Sequence, residues 1–134
     1  MTNKLLSPQY VAGLVDGEGC LNFRTDTTMP RLMLGFSYKK HTYQLLEKLK
    51  KQYGGSICIN NRILVSKHKE WAEQKMWFLS GDGLNKLLNE ISSYLFLKRE
   101  QSNLIKKFLE QKPPVGNRQT FKNKMHKLNK RGRA

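Results

Sequence analysis

Acidic side chains are scarce in this chain. Its 134 residues hold 10 Asp and Glu against 25 Lys and Arg, a formal net charge of +15. That balance argues against a cationic partner and for a polyanion, with nucleic acid ahead of an anionic membrane surface. Long apolar runs are missing as well. No stretch approaches the roughly 20 apolar residues that a membrane span needs, so no membrane partner is expected. The opening Met1-Thr2-Asn3-Lys4 has no secretory apolar core, so an intracellular, reducing setting is expected. The two cysteines, Cys20 and Cys58, cannot build a disulfide framework or a zinc cluster. His41, His68 and His126 are scattered along the chain. Acidic residues stop altogether at Glu110. From Lys112 to Ala134 there are eight basic residues and no acidic one, leaving +7 for the rest of the +15. The chain therefore divides into one domain over 1–111 and a basic C-terminal extension over 112–134.

What is present reads as an α+β domain. Ser7-Pro8 is a helix start, with Ser7 as N-cap and Pro8 in the first helical position. Gly17 and Gly19 end that helix. Leu21 to Asp26 and Arg31 to Tyr38 alternate apolar and polar residues on either side of a turn at 27–30, which predicts a hairpin. Thr42 to Tyr53 has helical spacing and stops at Gly54-Gly55. Strands follow at Ser56–Asn60, with a continuation over Ile63–Ser66, and at Gln74–Ser80, across a polar loop at 67–72. Helices are expected at Leu84–Ile91 and Lys98–Glu110. Pro113-Pro114 breaks the chain before a last short helix at Phe121–Leu128. The order is αββαββα: a four-stranded antiparallel sheet with one polar face, helices on the other face, and C-terminal helices. On the fourth strand the alternation leaves two phases open, with either Lys75 and Trp77 or Met76 and Phe78 facing out.

The most informative stretch is Val11-Ala12-Gly13-Leu14-Val15-Asp16-Gly17-Glu18-Gly19. An apolar run ends in two carboxylates alternating with two glycines. A helix that stops there brings a carboxylate and free backbone carbonyls to one point, a donor set suited to a hard divalent cation beside a phosphate. Gly13 lies in the helix interior, where glycine costs about 1 kcal/mol relative to alanine. Close packing of helix backbones is the physical reason to keep it.

This stretch resembles the signature of the LAGLIDADG homing endonucleases in its apolar pattern, both frame glycines and both acidic positions. Glu18 stands where the name-giving pattern has Asp, and Val11 where it has Leu. The segment Leu97-Lys98-Arg99-Glu100-Gln101-Ser102-Asn103-Leu104 resembles the basic segment of single-motif members. The resemblance covers residues 8 to about 110, and its fold is the αββαββα order read above. It implies a site-specific homing endonuclease that hydrolyses both strands of a long pseudo-palindromic double-stranded DNA target across a minor groove, leaves 3′ overhangs and promotes intron mobility. By the same resemblance Glu18 and the Gly17 carbonyl hold Mg2+, with Mn2+ as a substitute. Asp16 supports the end of the helix. Lys98, Lys40 and Gln44 join the catalytic surroundings of the phosphate and the attacking water. One motif per chain implies a homodimer, with Val11, Ala12, Gly13 and Asp16 of each copy at the interface and one active site per strand.

Sequence reading falls to the polar sheet face, since a β-ribbon can enter the major groove. Period-two alternation nominates Asn22, Arg24, Asp26, Arg31, Met33 and Ser37, then Ser56, Cys58 and Asn60. Arg24 and Arg31 suit guanine, and Asn22 suits adenine. Lys67, Lys69 and the basic extension would add phosphate contacts. Two other readings stay open: an RNA maturase that binds intron RNA, and a non-catalytic DNA-binding regulator. Bacterial cytoplasm, chloroplast and mitochondrion all suit the reading.

Overall fold

The computed structural model describes residues 5–24, 27–37, 39–60 and 74–131. Ser7 caps the first helix, α1 (Pro8–Glu18), its side chain accepting the Tyr10 N–H at 3.2 Å. Strand β1 (Gly19–Phe23) follows with no intervening loop, two residues earlier than the alternation suggests. Then come β2 (Pro30–Ser37), α2 (Lys40–Tyr53), β3 (Ser56–Asn60) and β4 (Gln74–Ser80). The second half is helical: α3 (Gly81–Ile91), a 3-10 turn at Ser92–Tyr94, α4 (Arg99–Gln111), a 3-10 turn at Val115–Asn117 and α5 (Arg118–Arg131).

The four strands form one antiparallel sheet in the order β1-β2-β4-β3. Alternation sorts its side chains to two faces. Leu21, Phe23, Leu32, Leu34, Trp77 and Leu79 are buried under the helices. Cys20, Asn22, Arg31, Met33, Met76, Phe78, Ser56 and Cys58 occupy the open face, exposed or half-buried. This settles the phase of β4: Met76 and Phe78 face out and Trp77 faces in. The open face is thus not purely polar; Met33, Met76 and Phe78 form an apolar centre to it.

Trp77 is fully buried, and its indole N–H donates to the Gly54 carbonyl at 2.8 Å. Gly55 makes that fit possible. Its φ is +86, and a Cβ there would lie 2.3 Å from the Phe78 carbonyl oxygen and 2.8 Å from the Trp77 indole nitrogen. The helical side of the core is closed by Val11, Ala12 and Val15 of α1, Leu46 and Leu49 of α2, and Leu84, Leu87, Leu88 and Ile91 of α3. Both α2 and α3 begin two or three residues earlier than their apolar spacing indicates, because their first turns are polar and carry no periodic signal.

Helix α5 is longer than the 121–128 expected, and it docks. Phe121 and Met125 are buried, and Phe121 packs edge-on against Phe108 of α4, with ring centroids 5.2 Å apart. Phe108 in turn meets Phe23 of β1 at 5.2 Å. The Asn129 amide donates to the Leu21 carbonyl at 3.1 Å, on the outer edge of β1. Continuation of the third strand through Ile63–Ser66, the loop at 67–72 with Lys67 and Lys69, and Asp26 lie outside the described residues. Truncating a buried phenylalanine removes packing and leaves a cavity. Phe121→Ala is therefore expected to destabilise the fold by about 3 kcal/mol, measured by urea unfolding followed by far-UV circular dichroism. An unchanged midpoint would mean that α5 is not part of the core.

Candidate catalytic tip and nucleic-acid interface

The nine-residue motif divides into two helical faces. Val11, Ala12 and Val15 point into the protomer's own core. Tyr10, Gly13 and Gly17 are exposed and Leu14 is half-buried, a ridge with the i, i+3, i+4, i+7 spacing of one face. Val11 and Ala12 were expected to meet a second copy; at 1% exposure each, their side chains have no surface to give one. The outward ridge is the part of α1 open to a partner. A Cβ added at Gly13 or Gly17 would meet nothing within 4 Å. Among the described residues nothing within the protomer therefore calls for glycine at either position.

The last helical carbonyls of α1 lack intrahelical donors by construction. The Val15 carbonyl receives the Gly19 N–H. That of Asp16 receives the Lys98 ammonium at 2.7 Å. Next to them lie Gly17 and Glu18, both exposed, Glu18 being the final helical residue. A cation at a helix C-terminus is favourable because the helix dipole is negative there. Lys98 thus sits where its charge is stabilised, on the turn that carries Glu18.

Asp16 is what brings Lys98 there. Its carboxylate accepts three backbone N–H groups from the bend before α4: Phe96 at 2.7 Å, Leu97 at 3.2 Å and Lys98 at 3.0 Å. Asp16 was expected at the interface, supporting donors where its own helix ends. The donors it holds come instead from a segment some 80 residues away, so its carboxylate is directed within the protomer. The sequence pattern carries no signal for so distant a pairing.

Lys40 and Gln44 are exposed on the first turns of α2. Gly19 pairs with Leu34, three residues before β2 ends at Ser37. Helix α2 therefore starts from the end of the sheet at which α1 delivers Glu18. Among the described residues no three His, Cys, Asp or Glu side chains gather into a metal-holding group.

On the open sheet face, Asn22, Arg31, Met33, Ser56 and Cys58 lie as the alternation suggests, and Ser37 and Asn60 are the last residues of β2 and β3. Arg24, just past β1, is exposed. Asn22 and Arg31 are directly cross-strand, and the Arg31 Nε donates to Asn22 Oδ1 at 2.9 Å. The Asn22 amide N–H groups point to Cys20 Sγ and Met33 Sδ, each at 3.3 Å. The Arg31 guanidinium lies over the Phe78 ring, 5.7 Å from its centroid. Phe78 is one of the two residues that the alternation of β4 offered in its second phase, and the burial of Trp77 selects that phase. The Asn22 side chain thus bonds within the sheet face, to Arg31 through its oxygen and to two sulfurs through its nitrogen.

Removing the Asp16 carboxylate leaves three N–H groups at the 96–98 bend without their acceptor. Asp16→Ala is expected to lower stability by about 2 kcal/mol, read from thermal or urea unfolding. An unperturbed unfolding curve would show that the bend holds without it.

No protein-family model matches the chain, and no curated protein sequence does. Solved structures do. The homing endonuclease I-CvuI in complex with its target in the presence of 2 mM Ca is 21% identical, with a TM-score of 0.69, covering 90% of this chain and 80% of that one. I-CvuI with an I-CreI target in the presence of 2 mM Mg, its DNA not cleaved, matches at 22% identity, TM-score 0.69, with the same coverage. The LAGLIDADG meganuclease I-AabMI bound to uncleaved DNA matches at 21% identity and TM-score 0.58, over 79% of this chain and 38% of that one. Helix α1 with Glu18 at its tip and the four-stranded sheet below it are the LAGLIDADG homing-endonuclease fold.

Proposed function

We propose that the protein is a divalent-metal-dependent, site-specific DNA endonuclease that works as a homodimer, cuts both strands and promotes intron mobility. The observation that carries this reading is the exposed Glu18 at the tip of α1, two residues after Asp16, whose carbonyl holds the Lys98 ammonium. I-CvuI, with the same fold, was crystallised on DNA with Ca or Mg.

The donor chemistry fits such a metal. Glu18 and the Gly17 carbonyl offer oxygen, the element that Mg2+ and Ca2+ prefer, with Mn2+ close behind. One chain supplies a single carboxylate at this tip, so the remaining ligands would be phosphate oxygens, water and a second copy's tip. When bound, the metal activates water and neutralises charge on the scissile phosphate. Around it, Lys98 contributes positive charge fixed by its bond to α1. Lys40 and Gln44, at the same end of the sheet, would orient the attacking water.

The homodimer rests on the outward ridge of α1. Gly13, an interior helix glycine costing about 1 kcal/mol relative to alanine, and Gly17 in the last turn have nothing among the described residues within 4 Å of an added Cβ. A second α1 helix lying across them supplies the missing reason, since glycines allow close backbone approach. Tyr94, Phe96 and Leu97, large and exposed at 48%, 86% and 66%, flank the same end of α1 and add apolar area. Twofold packing of this kind places two Glu18 tips side by side, one per DNA strand.

DNA would lie on the open sheet face, with Arg24, Arg31, Met33, Ser37, Ser56, Cys58 and Asn60 toward the bases. Asp26, Lys67 and Lys69 extend the proposed contacts, and a net charge of +15 makes binding steeply salt-dependent.

Two outcomes test this. A plasmid carrying the intron-free sequence that flanks the gene should be linearised in Mg2+. Glu18→Gln should slow that cleavage by more than about 100-fold, beyond the loss typical of an outer-shell change, while still shifting the DNA in a gel. Cleavage that survives in Glu18→Gln refutes the site. Gly13→Leu should convert a dimer to a monomer in sedimentation while the fold persists, because the protomer has room for the side chain. A Gly13→Leu protein that stays dimeric refutes the α1 interface.

A further inference from the structure

Helices α4 and α5 leave a groove between them that the core does not fill. We propose that this groove docks a short amphipathic helix of another protein, apolar on one side and rich in carboxylates. The surface lies outside the catalytic tip and the sheet, and the proposal does not depend on the DNA reading.

The two helices meet closely at one end, where Phe108 and Phe121 are buried edge to face. Met125 extends that contact by one turn along α5 and is also buried. Farther along, the packing opens. Leu128 continues the Phe121–Met125 stripe at helical spacing, and Leu104 lies one turn before Phe108, yet both are only half-buried. They form the floor of an open groove of ≈ 410 Å³. That is many times the roughly 30 Å³ of a water molecule, so whole side chains fit. Exposed lysines stand on both walls, Lys107 on α4 and Lys124 and Lys127 on α5. Among the described residues no carboxylate pairs with any of them. The one carboxylate in the lining, Glu100, lies two turns back along α4 from Lys107.

An exposed apolar surface rimmed by charge marks an interaction site, and its charge selects the partner. A nucleic-acid backbone would use the lysines and leave the leucines uncovered, whereas an amphipathic helix with carboxylates uses both. Apolar anchors at i, i+3 and i+7 of such a helix span about 10 Å, the same rise that separates Glu100 from Lys107. The partner's acidic residues belong at the Lys107 end, away from Glu100. Helix α4 covers the inner side of the sheet, where Phe108 meets Phe23. DNA on the open face therefore leaves the groove free. The outward ridge of α1 contributes none of the lining residues. A partner in the groove can thus be held while the other surfaces are occupied.

The probe is a fluorescein-labelled synthetic helix of about twelve residues, roughly three turns. It has leucines at i, i+3 and i+7, with glutamates and alanines elsewhere. Its fluorescence anisotropy is read on titration with the full chain. Lys124→Glu should weaken binding by about tenfold, and Leu128→Gln by about tenfold. Lys124 is exposed, so its replacement tests the groove without touching the core. Lys48→Glu, the same change of charge at an exposed position of α2, should leave binding unchanged. A peptide with serines in place of the leucines should bind about tenfold more weakly or worse. Equal binding of the serine peptide, or equal losses in Lys124→Glu and Lys48→Glu, means that charge alone holds the probe and overturns the groove. So does a leucine peptide that fails to bind. Neither duplex DNA nor a single-stranded RNA of equal net charge should displace the peptide. Displacement by either assigns the groove to nucleic acid and overturns a protein partner.

Discussion

The Asp16 carboxylate is the fixed point of the end of α1 that carries Glu18. It gathers three backbone N–H groups from the 96–98 bend and so brings Lys98 to the end of α1, where the lysine returns a bond to the Asp16 carbonyl. Two distant parts of the chain are held by a reciprocal pair of contacts, backbone to carboxylate and ammonium to carbonyl. Charged acceptors make stronger hydrogen bonds than neutral ones, and several converging on one group orient it closely. The order of α1, the bend and α4 around Glu18 follows from that one group. Without it the tip would carry a carboxylate and no organised cation beside it.

A second constraint runs through the sheet. Trp77 must be inward, because its indole N–H has the Gly54 carbonyl to satisfy and Gly55 leaves it the space. With Trp77 inward, period two sends Met76 and Phe78 outward, and Phe78 becomes available beneath Arg31. The core requirement of one strand thereby sets the chemistry of the opposite face.

Much of this was legible in the residues. Ser7-Pro8, the glycines and the two alternating hairpins gave the αββαββα order, and the motif located Glu18. Helical spacing separated Val11, Ala12 and Val15 from Tyr10, Gly13 and Gly17, but it did not say which side faces the core, since both contain apolar residues. The phase of β4 was ambiguous for a related reason: Lys75, Trp77, Met76 and Phe78 put an apolar side chain on each face. Lys75 lies on the inner side only because it reaches the rim, where its ammonium sits 5.3 Å from the Tyr43 ring centroid. The Asp16 pairing and the Asn22–Arg31 bond are tertiary. Local patterning records propensity and amphipathicity, and contains nothing about which polar groups meet across the fold.

Helix α5 closes the argument at the other margin of the sheet. A bare edge strand offers a row of unpaired N–H and C=O groups to any passing chain. Here the first edge, β1, has α5 beside it, with Asn129 occupying the Leu21 carbonyl. The helix does at that margin what a fifth strand would do, without presenting a ladder of its own. The Leu21 carbonyl is thereby taken from any strand that would add to that edge. A basic protein with four short strands is protected there from aggregation by the same segment that completes its core.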